Sequence, residues 1–137
     1  MNSEGEEPGR ILVVEDERHI ARFLEYVLQK AGYEVDIAED GRQALEILAD
    51  FRPHAMILDL VLPEISGLDL LKTIRKEAAY GDLVVVVVSA HWFGEDDQQL
   101  REAGATAQCS KPIAPSTLLG KLLELGIKPQ MPLGSVA

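Results

Sequence analysis

The 137-residue sequence contains a single cysteine, Cys109, so no disulfide can close within the chain. No group of cysteines and histidines has the spacing of a zinc site. Long hydrophobic runs are missing too. The longest, LVVVVV at residues 83–88, is far short of a bilayer span. Positive charge is scarce: 13 Lys and Arg stand against 23 Asp and Glu, a net charge of −10. A body of that sign repels nucleic acid phosphates and anionic lipid heads, which argues against direct nucleic acid or membrane binding. It suits divalent cations and basic partner surfaces instead. The opening MNSEGEEPGR has neither the basic start and apolar stretch of a signal peptide nor the character of a transit peptide. The expectation is therefore a soluble cytoplasmic protein. There is no internal repeat and no room for a second domain of ordinary size.

What is present is a regular alternation of patterns. The hydrophobic fraction of 47% and charged fraction of 26% are those of a globular chain. At this length folding buries roughly 68% of the unfolded surface, enough for a core without staples. Residues 1–9 read as a flexible acidic tail, and residues 127–137, with Pro129 and Pro132, as a tail or linker. Between them, over 10–126, short apolar runs alternate with helical periodicity. The runs are 11–14 (ILVV), 33–37, 54–58, the valine-rich 83–88 and the weaker 106–110. The first helix carries Ile20, Phe23, Leu24, Val27, Leu28 and Ala31 at helical spacing and stops at Gly32. Asp40 caps the second, and Ser66 with Asp69 has capping-box spacing before the third. A fourth spans about 95–103, and a fifth runs from Pro115 to Leu125, closed by Gly126. Five β–α units with short connections predict an α/β fold: a parallel sheet, doubly wound, with helices on both faces. Continuous β-branched runs such as 83–88 belong to a central strand covered on both sides.

Such sheets bind ligands at the carboxyl ends of their strands. There the sequence places Glu15, Asp16 and Glu17 after the first strand, Asp59 after the third, Ser89 after the fourth, and Lys111 before Pro112 after the fifth. An Asp at a strand end is by itself an ordinary turn residue. Acids, a hydroxyl and an ammonium converging in register are a chemical constellation. Clustered carboxylates need a cation, and hard oxygen donors without His or Cys favour Mg²⁺ or Mn²⁺. Asp59 can then attack phosphorus, with Lys111 and Ser89 meeting the phosphoryl oxygens.

The runs ILVVEDE (11–17), AEDGRQAL (38–45), ILDLVLPEISGLDLL (57–71), VVVSA (86–90) and SKP (110–112) together resemble the receiver domain of bacterial two-component response regulators. The resemblance covers about residues 10–125. It implies a flavodoxin-like (βα)5 fold with a five-stranded parallel sheet in the order 2-1-3-4-5. It makes Asp59 the phosphoacceptor, Asp16 the direct metal ligand and Glu15 its acidic neighbour, and the Val61 backbone carbonyl a further ligand. Ser89 and Lys111 take the switch-hydroxyl and lysine roles. It implies a sensor histidine kinase or histidine phosphotransfer protein as donor, an output protein downstream, and a switching face built from helix four, strand five and helix five. The chain would catalyse its own phosphotransfer and dephosphorylation without being a turnover enzyme.

The sequence departs from the family pattern in places. Gln108 stands where an aromatic switch residue is usual, and Ile113 replaces a common Phe. The last helix, PSTLLGKLLELG, has one basic residue, Lys121, and more leucine than one core stripe needs. That surplus leaves room for a partner or a second copy of the chain. Val61, apolar and two residues beyond Asp59, and the bulky His91 point to slow self-dephosphorylation. His19 reads as a surface residue, His54 as structural, His91 and Trp92 as loop packing, and Cys109 as a small buried residue. Two alternatives stand beside this reading. A phosphatase with a strand-end Asp nucleophile needs a second acid two residues later, where this chain has Val61. A receiver-like module governed by partner binding without phosphorylation is the other, and Gln108 is what favours it.

Overall fold

The computed structural model describes residues 9–90 and 94–129, with the backbone alone for 94–97. The expected tails at 1–8 and 130–137, and His91 and Trp92, lie outside the described residues. The elements are β1 (Arg10–Val14), α1 (Arg18–Ala31), β2 (Glu34–Ala38), α2 (Gly41–Phe51), β3 (Ala55–Asp59), α3 (Gly67–Arg75), β4 (Val84–Ser89), α4 (Gly94–Ala103), β5 (Ala107–Ser110) and α5 (Pro115–Glu124). A short 3₁₀ turn, Ala78–Tyr80, precedes β4. The strands are all parallel, in the order β2-β1-β3-β4-β5, so the expected α/β topology is the one found.

Strand alternation divides the core in two. Leu12, Val14, Met56, Leu58, Val85 and Val87 face one side and pack with Ala44 and Leu48 of α2, Leu70, Leu71 and Ile74 of α3, and Leu100 of α4. Ile11, Val13, Ala55, Ile57, Val86 and Val88 face the other and meet Leu24 and Leu28 of α1 and Leu118 and Leu122 of α5. All five residues of β3 are buried, which is why that strand reads as an unbroken apolar run ending in acid. Each fully buried Leu, Ile or Val contributes about 1.5–3 kcal/mol over leaving it in water.

The caps read from sequence form as expected. Gly32 closes α1 with φ of 107°, in the left-handed region that glycine tolerates. Asp40 accepts from the Gln43 N–H at 2.8 Å, and Ser66 from the Asp69 N–H at 3.1 Å. Ordered packing continues past Gly126, because Ile127 is buried and its carbonyl accepts from the Tyr33 hydroxyl at 2.6 Å. His54 is structural: its Nδ1 accepts from the Arg10 N–H at 2.9 Å. His19 is exposed, and Cys109 is only half-buried. Among the described residues no helix is long and apolar enough to cross a membrane.

Candidate functional site

Parallel pairing sets the site. Asp59 pairs with Val88, and Ser89 pairs with Ser110. Both Asp59 and Ser89 are therefore the last residues of their strands, where the expectation put them one step beyond. The Lys111 N–H donates to the Ser89 carbonyl at 2.9 Å, which holds the start of the β5–α5 loop against the end of β4. On the neighbouring strand the Glu15 N–H donates to the Ala38 carbonyl at 3.0 Å. The chain leaves β1 with Glu15 directed inward and Asp16 exposed.

Glu15, Asp16 and Asp59 converge so that one oxygen from each lies within 4.8 Å of the others. Glu15 and Asp59 are 3% and 5% exposed, too little for water to solvate two carboxylates. Lys111 enters between them, its Nζ 3.0 Å from Asp59 Oδ2 and 3.2 Å from Glu15 Oε1. The remaining oxygens have backbone donors. The Val61 N–H donates to Asp59 Oδ1 at 3.1 Å and the Glu17 N–H to Glu15 Oε2 at 3.0 Å. Glu17 itself is exposed at the start of α1 and makes no side-chain cap.

Burial pushes the Glu15 carboxyl above its usual range, with the Asp59 charge adding to it; the Glu17 N–H and Lys111 pull the other way. Burial also works against the Lys111 ammonium. The hydrogen bond to Asp59 and the charges of Asp59 and Glu15 outweigh it, so Lys111 is raised and stays charged. One ammonium against three carboxylates leaves an excess of negative charge at the carboxyl ends of β1 and β3. The donor set is all hard oxygen, so it can accept a small divalent cation.

Ser89 is half-buried at the rim, and Gln108 is half-buried on β5, paired in register with Val87. The Val61 side chain is 76% exposed. One determinant escaped the sequence reading. A Cβ on Gly67 would lie 2.3 Å from the Asp59 carbonyl oxygen and 2.7 Å from Leu60 Cα. The first turn of α3 is therefore pressed onto the backbone that carries Asp59, and the Gly67 N–H donates to the Leu60 carbonyl at 2.9 Å. A glycine directly after a helix-capping serine was the available signal, and it reads equally well as an ordinary helix start.

The family model described as the response regulator receiver domain matches residues 11–123. The "Response regulator MprA" of Mycolicibacterium vanbaalenii is 36% identical over 118 residues, covering 86% of this chain and 50% of that protein. The chain thus spans about half the length of the curated relatives it matches. Among solved structures, the chemotaxis protein CheY4 of Vibrio cholerae superposes with a TM-score of 0.83 at 31% identity, covering 87% of this chain and 99% of that one. A putative response regulator from Chloroflexus aurantiacus gives 0.82 at 33% identity, with 87% and 98% covered.

Proposed function

Since this chain belongs to the response regulator receiver domain family and so to phosphorylation-dependent two-component signalling, we propose that Asp59 is its phosphoacceptor and that Glu15, Asp16, Ser89 and Lys111 serve the transfer. The observation that carries this is the buried Asp59 carboxylate held 3.0 Å from Lys111, inside a three-carboxylate cluster. In the transfer, an Asp59 oxygen forms a bond to phosphorus while the donor's bond to phosphorus breaks, and the electron pair departs with the leaving group. Lys111 steadies Asp59 beforehand and is within reach of a phosphoryl oxygen afterwards. Ser89 donates its hydroxyl to another.

Glu15, Asp16, Asp59 and the Val61 carbonyl would hold Mg²⁺ or Mn²⁺, which when bound neutralises charge on the transferring group. The donor is a sensor histidine kinase or a histidine phosphotransfer protein. An apolar cleft of about 340 Å³ beside Lys111, lined by Ile20, Phe23, Leu24 and Ile113, offers such a protein a surface next to the acceptor. Addition of about −2 charge at Asp59 draws on Ser89 and biases the face formed by α4, β5 and α5 toward an output partner. With Gln108 in the aromatic position, that bias runs through an amide and not through a ring. The chain promotes its own phosphorylation and turns over no separate substrate.

The test is intact-mass spectrometry after incubation with phosphoramidate or acetyl phosphate, with and without Mg²⁺. One phosphoryl adduct should form with metal and be absent in Asp59→Asn. A folded protein that takes no label and binds no beryllofluoride overturns the reading, in favour of a module governed by partner binding alone.

A further inference from the structure

The loop from Asp59 to α3 is held at both ends and in the middle. At its base the Leu60 N–H donates to the Val88 carbonyl at 3.1 Å, and the Gly67 N–H returns to the Leu60 carbonyl at 2.9 Å. Along it Leu60, Leu62 and Ile65 are half-buried and pack against the core cluster on the α2 and α3 side, while the Val61 side chain stays exposed. Before α3 the chain reverses sharply. The Ile65 N–H donates to the Pro63 carbonyl at 2.7 Å, with Glu64 between them at a φ of 69°. A bond across three residues with a positive φ at the centre is the rare and strained form of such turns, and glutamate lacks glycine's tolerance for it. Strain of this kind persists only where the surroundings over-determine it, and it gathers at functional sites. Ile65 supplies that constraint, because it meets a defined seat. α2 begins at the buried Gly41, and a Cβ there would lie 3.4 Å from Ile65 Cβ and 3.6 Å from Leu70 Cδ1.

Between the strained turn and Asp59 lies one peptide plane that matters. The Val61 carbonyl shares a rigid plane with the Leu62 N–H. On the Asp59 side, the Val61 N–H is fixed to Asp59 Oδ1 at 3.1 Å. On the other side, Pro63 disfavours a helical conformation at Leu62, and the turn at Glu64 sets where the chain goes next. On the reading of Glu15, Asp16, Asp59 and the Val61 carbonyl as the groups that hold the divalent cation, we propose that Ile65 is the positioning residue of that site. Seated against Gly41 and Leu70, it holds the turn at Glu64 and, through it, the Val61 carbonyl. Its own side chain is apolar and cannot be a ligand. Cutting it back removes the burial that offsets the strained turn. The carbonyl is then no longer set in advance, and its ordering falls on the binding step.

The experiment is a Mg²⁺ titration of the full chain, followed by amide NMR shifts at a temperature well below melting. Ile65→Ala should raise the dissociation constant about three- to tenfold, less than the roughly 10–100-fold typical of groups bonded directly to a metal ligand. Ile65→Leu refills the seat and should recover most of the loss. Leu83→Ala opens the same core cluster before β4, at the other end of the sheet, and should keep the wild-type constant. Glu64→Asn removes the carboxylate but tolerates a left-handed backbone, and should keep it too. An unchanged constant in Ile65→Ala overturns the proposal. So does an equal rise in Leu83→Ala, which would assign the effect to general loosening, or in Glu64→Asn, which would assign it to charge. If Ile65→Ala does not fold, the milder Ile65→Val decides, and no rise there overturns the proposal as well. Wild-type protein that binds no Mg²⁺, or Asp16→Asn that binds it undiminished, would instead strike down the reading of the ion site, and this one with it.

Discussion

Gly67 shows how much of a reaction site is set by what a residue lacks. The Asp59 backbone has its position because α3 can begin in contact with it. Gly67→Ala places a methyl against main-chain atoms that have no rotamer to yield, so either the helix start or the acceptor strand must move. Such overpacking costs roughly 1–3 kcal/mol. We expect a lower melting temperature together with a slower labelling rate in the fraction that remains folded. A variant as stable as wild type and labelled at the wild-type rate would show that the two backbones are not mutually fixed. Val61 makes the complementary case. Its N–H holds Asp59 Oδ1, while its side chain is 76% exposed and apolar, with no group to orient an attacking water. Val61→Asn keeps the N–H and adds a polar head over the acceptor. The phosphorylated variant should lose its label several-fold faster than wild type in a mass-spectrometric time course.

At the scale of elements, the apolar runs and caps were legible because each has a local cause. The run at 55–58 is buried on both faces, Asp40 and Ser66 satisfy the first N–H groups of their helices, and Gly32 takes the left-handed turn. Strand ends were misjudged by a residue because register is a property of two strands, and Asp59 extends β3 only by pairing with Val88. The Arg75 clamp was not legible at all. A basic residue in the last turn of a helix reads as a favourable charge on the dipole. Here its guanidinium instead donates to the carbonyls of Gly104 at 3.0 Å, Tyr80 at 2.7 Å and Leu83 at 2.8 Å, tying α3 to the 3₁₀ turn, to the segment before β4 and to the α4–β5 loop. Burial lowers its pKa, but the group remains charged. Arg75→Met strips three carbonyls of their donor, and a loss of about 2–4 kcal/mol in urea unfolding is expected. Gly120 gives the opposite sign. It lies within α5, and a Cβ there meets nothing within 4 Å. Gly120→Ala should add about 0.5–1 kcal/mol of stability.

At the scale of the whole molecule, charge sets the response to pH. The site was legible in outline because its residues lie at strand ends that the topology must gather. Its energetics were not, because they depend on how deeply Glu15 and Asp59 are buried. A carboxyl raised on folding, as Glu15 is, adds its full contribution below the unfolded-state value of 4.5 and loses it as pH rises through the folded one. Cys109 and Tyr33, raised by burial from 9.0 and 10.0, lose theirs at higher pH. Lys111, raised from 10.5 by Asp59 and Glu15 against the cost of burial, does the same above that value. All four shifts have one sign, and the self-repulsion of a net −10 chain adds to it. Of the four, only Glu15 starts from a value on the acid side of neutrality, so its ionisation is what should make the metal-free protein melt at a lower temperature at about pH 8 than at about pH 5.5. A divalent cation binds the ionised carboxylates only, so it works against that trend. The rise in melting temperature on adding Mg²⁺ should be larger at the higher pH, and calorimetry at both values measures it directly. A rise of equal size at the two would mean that Glu15 ionisation is not linked to metal binding, leaving Asp16 and Asp59 to hold the ion without it.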